Sequence, residues 1–149
     1  MSILQGATTS FKVELLQAVH NFGPTSADTF KIALYTANAD VNLSTTAYSA
    51  TNEVTGTGYT AGGNTLTINP YPTSGNNIYA VPTAYISFVN TSWTSASFTA
   101  RAALIYNSSV AGNPSVAVLD FGSDKTVSND TFQIIFPTPD ANNAIVRIS

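Results

Sequence analysis

Two hydrophobic periods divide the chain. Over residues 11–22 (FKVELLQAVHNF), Phe11, Leu15, Val19 and Phe22 recur at helical spacing, and Leu16 and Ala18 widen the apolar face. Ser10 stands where an N-cap hydroxyl accepts from a free backbone N–H. Glu14 lies in the first-turn region, which the helix dipole favours. Gly23 and Pro24 follow as a left-handed stop and a breaker. The pattern predicts one helix over 11–22, preceded by an N-terminal arm over 1–10.

Beyond Pro24 the period falls to two. Residues 29–36 (TFKIALYT) set Phe30, Ile32 and Leu34 on one face and Lys31, Ala33 and Tyr35 on the other. Residues 64–69 (NTLTIN) turn Leu66 and Ile68 inward. Over 83–91, Tyr85, Ser87 and Val89 share one face, and Ala84, Ile86 and Phe88 the other. Residues 97–107 (SFTARAALIYN) are long and mostly apolar, the mark of a central strand covered on both faces. Strands over 115–121, 131–136 and 144–148 complete the set, and 91–97 reads as a hairpin connection. Pro137 and Pro139 end the sixth strand, because proline donates nothing to a ladder.

The turn-rich stretches 37–63 and 70–82 separate these strands. The first is too long for an ordinary connector, so it carries a role or local structure of its own. Seven strands after one N-terminal α-helix predict a mainly β, single domain over 1–149. The architecture expected is an antiparallel β-sandwich, jelly-roll-like.

Composition narrows the function. Only 9% of the 149 residues are charged, against roughly a quarter in an average domain. Thr, Ser and Asn supply 51 positions instead. A net charge of −3 opposes binding to a phosphate backbone, so no nucleic acid is expected as a partner. Cysteine is absent, which removes disulfides and thiolate metal sites. No apolar run approaches the roughly 18–20 residues that span a bilayer, so no membrane partner is expected. The first ten residues lack the basic and apolar regions of a secretory signal.

The short motifs resolve to bland readings. Gly56-Thr-Gly58-Tyr-Thr-Ala61 matches a dinucleotide fingerprint but lacks the strand before it and the helix after it. Asp120-Phe121-Gly122 spells a kinase tripeptide without the rest of a kinase. The loop from Asp40 alternates oxygen ligands like a calcium loop, yet Thr45 replaces its glycine and Thr51 its bidentate glutamate. Asp120, Asp124 and Asp130 read as turn carboxylates. His20 is the sole histidine, with no GxSxG elbow to serve, so helix-end or solvent contacts suit it better than catalysis. Glu14 and Glu53 show no spacing that marks a glycosidase pair. Four Asn-x-Ser/Thr sequons, at Asn42, Asn90, Asn107 and Asn129, follow from composition. No catalytic residue, metal ligand or cofactor is assigned, and no enzyme is expected.

The aromatic residues carry more. The phenylalanines sit in the periodic elements, whereas Tyr48, Tyr59, Tyr71 and Tyr79 sit in the two long loops. Exposed, these rings offer rigid contact area with a polar tip; folded back, they fill a core. With Trp93 they form the set of interface candidates.

The blocks SFKVELLQAVHNF (10–22), DTFKIALYT (28–36), TNEVTGTGYTAGGNTL (51–66), ARAALIYN (100–107), AVLDFGSDKTV (117–127) and FPTPDANNAIVRI (136–148) resemble, in order, a family of small virion structural proteins of tailed bacteriophages. The resemblance implies a capsid cement, or decoration, protein on the capsid exterior. Its partners would be the major capsid protein and further copies of itself, as a dimer or trimer. It implies no catalytic residues. The arm 1–10 and the loops 37–63 and 70–82 are the expected contact elements. The competing expectation is a tail or fibre component, or a carbohydrate-recognition module, stacking host sugars on Trp93 or Tyr59.

Overall fold

In the computed structural model, residues 2–149 are described, so Met1 of the expected arm lies outside them. The helix α1 spans Thr9–Leu16, shorter than the sequence pattern and starting earlier. Thr8, not Ser10, caps it: its buried hydroxyl accepts from the Phe11 N–H at 3.4 Å. The reason for the early stop is aromatic packing. A helix continued to residue 22 would carry Phe22 about 16 Å along the axis from Phe11. Instead the two rings meet edge to face with centroids 6.1 Å apart, and Phe22 stacks on Phe30 at 4.3 Å. The chain makes that turn after Leu16 through Ala18, whose φ is 57°.

The strands form two antiparallel sheets. The larger contains β1 (Gly6–Ala7), β2 (Phe30–Tyr35), β3 (Asn64–Thr65), β6 (Thr91–Asn107) and β7 (Ser115–Ile134), in the order β1-β7-β6-β2-β3. The smaller contains β4 (Thr73–Asn76), β5 (Pro82–Ile86) and β8 (Val146–Ile148), in the order β4-β5-β8. The molecule is therefore mainly β, with the architecture of a sandwich and one short N-terminal helix. This strand order does not by itself make a jelly roll, which takes two Greek keys over eight strands.

Three expectations change. Residues 91–97 are not a hairpin connection but the first part of β6. The expected strands at 115–121 and 131–136 are the two ends of one twenty-residue strand, β7. Polar alternation hid this, because the outer half of the β6–β7 ribbon buries only one face: Trp93, Ala96, Phe98 and Ala100 point in while Thr94, Ser97 and Thr99 stay exposed. The ribbon bends where the register jumps from Ala100↔Lys125 to Ala102↔Asp120, with Gly122 at φ 76° in the extra residues. The arm is not free either. β1 pairs with β7 at Val118 and Ala117, and Ile3 bridges to Val41.

The central strands are covered on both faces, as the apolar run at 97–107 predicted. Phe30, Ile32 and Leu34 enter the main core with Phe11, Phe88, Ile105 and Val116. Ala33 and Tyr35 face a second cluster with Leu104, Tyr106 and Val118, closed by Ala39 and Val41 of the long loop. The 37–63 segment is thus a layer of the fold. It joins β3 through Gly63, at φ +71°, where an added Cβ would lie 1.7 Å from the Ile32 carbonyl oxygen. Only glycine fits so near a neighbouring strand. Gly63→Ala is therefore expected to cost about 3 kcal/mol or more, read from chemical denaturation. A loss below about 1 kcal/mol would contradict this close approach.

Candidate functional site

The five aromatic candidates divide sharply. Trp93 is buried, and its ring lies against Tyr59 and Phe132 with centroids 6.0 Å from each. Tyr59 is half-buried against the main core, and Tyr48 is half-buried against the second cluster. These three are not surface anchors. Tyr71 and Tyr79 are exposed, at 43% and 79%.

A carboxylate that the sequence does not flag draws the first loop inward. Glu53 is buried, and every hydrogen bond it accepts comes from this loop. Its Oε1 accepts from the Tyr59 hydroxyl at 2.6 Å and the Gly62 N–H at 2.7 Å, and its Oε2 from the Tyr48 hydroxyl at 2.7 Å. Tyr59 in turn accepts from the Leu34 N–H at 2.9 Å, which ties the clasp to β2. The Tyr35 and Tyr106 hydroxyls donate to the carbonyls of Ser49 and Gly62, at 2.7 and 2.8 Å, and Tyr106 stacks on Tyr48 with centroids 4.6 Å apart. A buried carboxylate is costly unless charge-assisted bonds satisfy it, and three donors do so here. Burial first, then the Glu53 charge, pushes the Tyr106 phenol up to about 12. Burial also raises Tyr35, Tyr48 and Tyr59, with Glu53 adding to the rise.

His20 is likewise internal. Its Nε2 lies 2.7 Å from Glu14 Oε2 and its Nδ1 lies 3.1 Å from Asn107 Nδ2. An amide nitrogen only donates, so Nδ1 is the acceptor and Nε2 carries the proton given to Glu14. Asn107 spends its second amide hydrogen on Asp28 at 2.7 Å. Both imidazole nitrogens are occupied, and neither faces a nucleophile. The expectation of helix-end or solvent contacts is replaced by this buried network, because His20 lies beyond the end of α1 and packs 5.1 Å from the Phe11 ring.

The other motifs are built into the fold, but Asp120-Phe121-Gly122, Asp124 and Asp130 lie inside β7 and not in the expected turns, because the strand runs on through its bulge. Gly56 and Gly58 lie against β6, where Thr57 bridges to Ser97. Asn42 Nδ2 donates to Asp40 Oδ1 at 3.0 Å, and Asn42 Oδ1 accepts from the Ser44 N–H at 2.8 Å. Asp120 Oδ1 accepts from Gly122 N–H at 2.8 Å and Arg101 Nε at 3.4 Å. Among the described residues no His, Asp or Glu group gathers into a metal-ligand cluster.

The second loop builds the exposed feature. β4 and β5 form a hairpin with register Asn76↔Pro82, and residues 77–81 make its tip. Asn77 organises it: its Oδ1 accepts from the N–H groups of Tyr79 and Val81 at 2.9 and 3.1 Å. Its own N–H donates to the Val81 carbonyl at 3.0 Å. Ala80 takes φ 58°, and the Ile78 N–H donates to Asn142 Oδ1 at 2.7 Å, pinning the tip to the C-terminal loop. An asparagine side chain that bonds two residues onward is a turn-former, so the local sequence carries this signal. The tip holds Ile78 and Tyr79 into solvent at 74% and 79% exposure, with Val81 at 41%. Such a cluster of large side chains on a fixed backbone suits a partner's pocket.

The clasp and the tip respond differently to substitution. Tyr59→Phe removes a donor to Glu53 and the acceptor of the Leu34 N–H, and is expected to cost about 2–3 kcal/mol. Tyr79→Phe is expected to stay within about 0.5 kcal/mol, both measured by denaturant unfolding. The phenols also set an alkaline limit. A folded-state pKa raised above the unfolded value near 10 contributes stability that is complete below pH about 10 and declines as the pH climbs through the folded values. Melting temperature is therefore expected to fall above pH about 10, together with the appearance of phenolate absorbance. A flat profile to pH about 12 would contradict the clasp.

Comparison with family models, with curated proteins and with solved structures returns no match to this chain.

Proposed function

We propose that this chain is a structural binding protein of a phage particle, seated on the capsid exterior. There it stabilises the shell by bridging major capsid protein subunits, as a homo-oligomer. Two lines support the reading. The six sequence blocks resemble small phage virion proteins over most of the chain's length. The observation that carries the binding role is the hairpin tip, where Asn77 and Asn142 fix the backbone and leave Ile78 and Tyr79 exposed.

The physical mechanism follows from rigidity. A bridging protein must hold two partners in place, and each contact made by a pre-ordered element avoids the entropy of ordering it on binding. Ile78 and Tyr79 are the anchors of this reading; Tyr71, a further exposed ring, lies ahead of β4 at the far end of the hairpin. The arm and the loop 37–63, the other expected contact elements, are tied instead to β7, to each other and to β2. A chain with 9% charged residues binds through apolar area and neutral hydrogen bonds, which salt screens little. The host-sugar alternative loses its named stacking residues, since Trp93 and Tyr59 are held inside by their neighbours.

The test is addition of purified protein to particles that lack it, read by co-sedimentation and by resistance to heat release of DNA. The double variant Ile78→Asp, Tyr79→Ala is expected to weaken attachment by about 2 kcal/mol or more while its melting temperature stays within a few degrees. Wild-type protein that fails to attach would overturn the capsid assignment. Attachment undiminished in the variant would overturn the role of the tip.

A further inference from the structure

A cleft borders the base of the same hairpin, at Asn77 and Thr83. It has a volume of about 560 Å³ and runs between the two sheets. β1 and the adjacent residues Ala117–Leu119 of β7 line one wall, β8 lines the other, and α1 closes the end with Phe11, Lys12 and Leu15. Its walls are mixed: Phe11, Leu15, Val118 and Val146 give apolar patches, and Gln5, Thr83 and Asn143 stand between them. β8 is an edge strand: it pairs with β5 alone, and all three of its residues border the cleft.

Charge distinguishes this cleft from the rest of the surface. The chain has eight acidic and five basic residues, yet two of those five, Lys12 and Arg147, line the cleft and no Asp or Glu side chain does. Both are exposed, and neither belongs to an ion pair among the described residues. Arg147 donates to the Asn142 carbonyl. Its charge acts on Asp140, whose carboxylate also accepts from Asn142 and Asn143 at 2.8–3.2 Å. An acidic protein thus presents one cleft whose lining holds two cations and no Asp or Glu side chain, beside an open strand edge.

We propose that this cleft binds an extended, acidic segment of a partner protein, which adds as a further strand beside β8. Main-chain hydrogen bonds to the open edge would hold the segment. Alternate apolar side chains would fill the channel, and alternate carboxylates would meet Lys12 and Arg147 at the rim. The inference stands apart from the capsid reading, since the charge and the strand edge carry it whatever the partner is.

The probe is an acetylated peptide of alternating Asp and Val residues, labelled for fluorescence anisotropy against the purified full chain. Binding is expected that weakens with salt and falls about tenfold in the double variant Lys12→Glu, Arg147→Glu. Both positions are exposed, so an unchanged circular dichroism spectrum and melting temperature confirm that the variant is folded. The Lys/Val counterpart peptide is expected not to bind, nor the Asp/Val peptide methylated on alternate backbone amides. The proposal falls if the Asp/Val peptide does not bind, if the Lys/Val or methylated peptide binds as well, or if charge reversal leaves affinity unchanged. It falls also if the protein self-associates without peptide and Arg147→Glu abolishes that association, because the occupant is then a second copy. Attachment to particles in the same preparation separates failure of the cleft from failure of the capsid reading.

Discussion

The antiparallel pairing of β6 with β7 is the constraint on which the larger sheet depends. β1 attaches only to β7, and β2 only to β6 and β3, so the ribbon's register sets where the arm and the central strand can lie. Its inner half, from Ala102↔Asp120 to Tyr106↔Ser115, is buried on both faces; its outer half, from Thr91↔Ile134, buries one. The bulge between these halves lets one pair of strands serve both environments, because the added residues bend the ribbon and restore the apolar side chains to the core. A one-residue slip would turn that set outward, so the register is strongly specified.

Few charges are present, and three of the chain's carboxylates, Glu53, Glu14 and Asp28, are used in internal networks. Glu53 gathers Tyr48, Tyr59 and Gly62 and so converts a 27-residue turn-rich stretch into a layer over β2. Glu14 holds His20, which with Asn107 and Asp28 fixes the chain after the helix. Both networks satisfy their buried atoms, the condition under which polar groups rigidify a core instead of weakening it. The hairpin that projects Ile78 and Tyr79 is held separately, by Asn77 and Asn142.

The binding reading and the cleft use complementary halves of one idea. The tip is a convex apolar feature on a fixed turn; the cleft is concave, lined by apolar and polar residues alike, with Lys12 and Arg147 at its rim. In the proposed readings the first inserts into a partner and the second receives one.

By itself the sequence determined the local periods and what they imply: an early helix, strands expected at 29–36, 97–107 and 144–148, and a mainly β sandwich. Those features follow from side chains within a few residues of one another. The tertiary structure decided everything that depended on distant partners. It ended the helix at Leu16, because Phe22 is worth more against Phe30 than on a helical face. It joined two expected strands into β7, and it drew Tyr48, Tyr59 and Trp93 inward while leaving Tyr71 and Tyr79 outside. A tyrosine in a polar loop reads the same whether it points in or out. Only the position of Glu53, brought beside β2 by the fold, settles which way it turns.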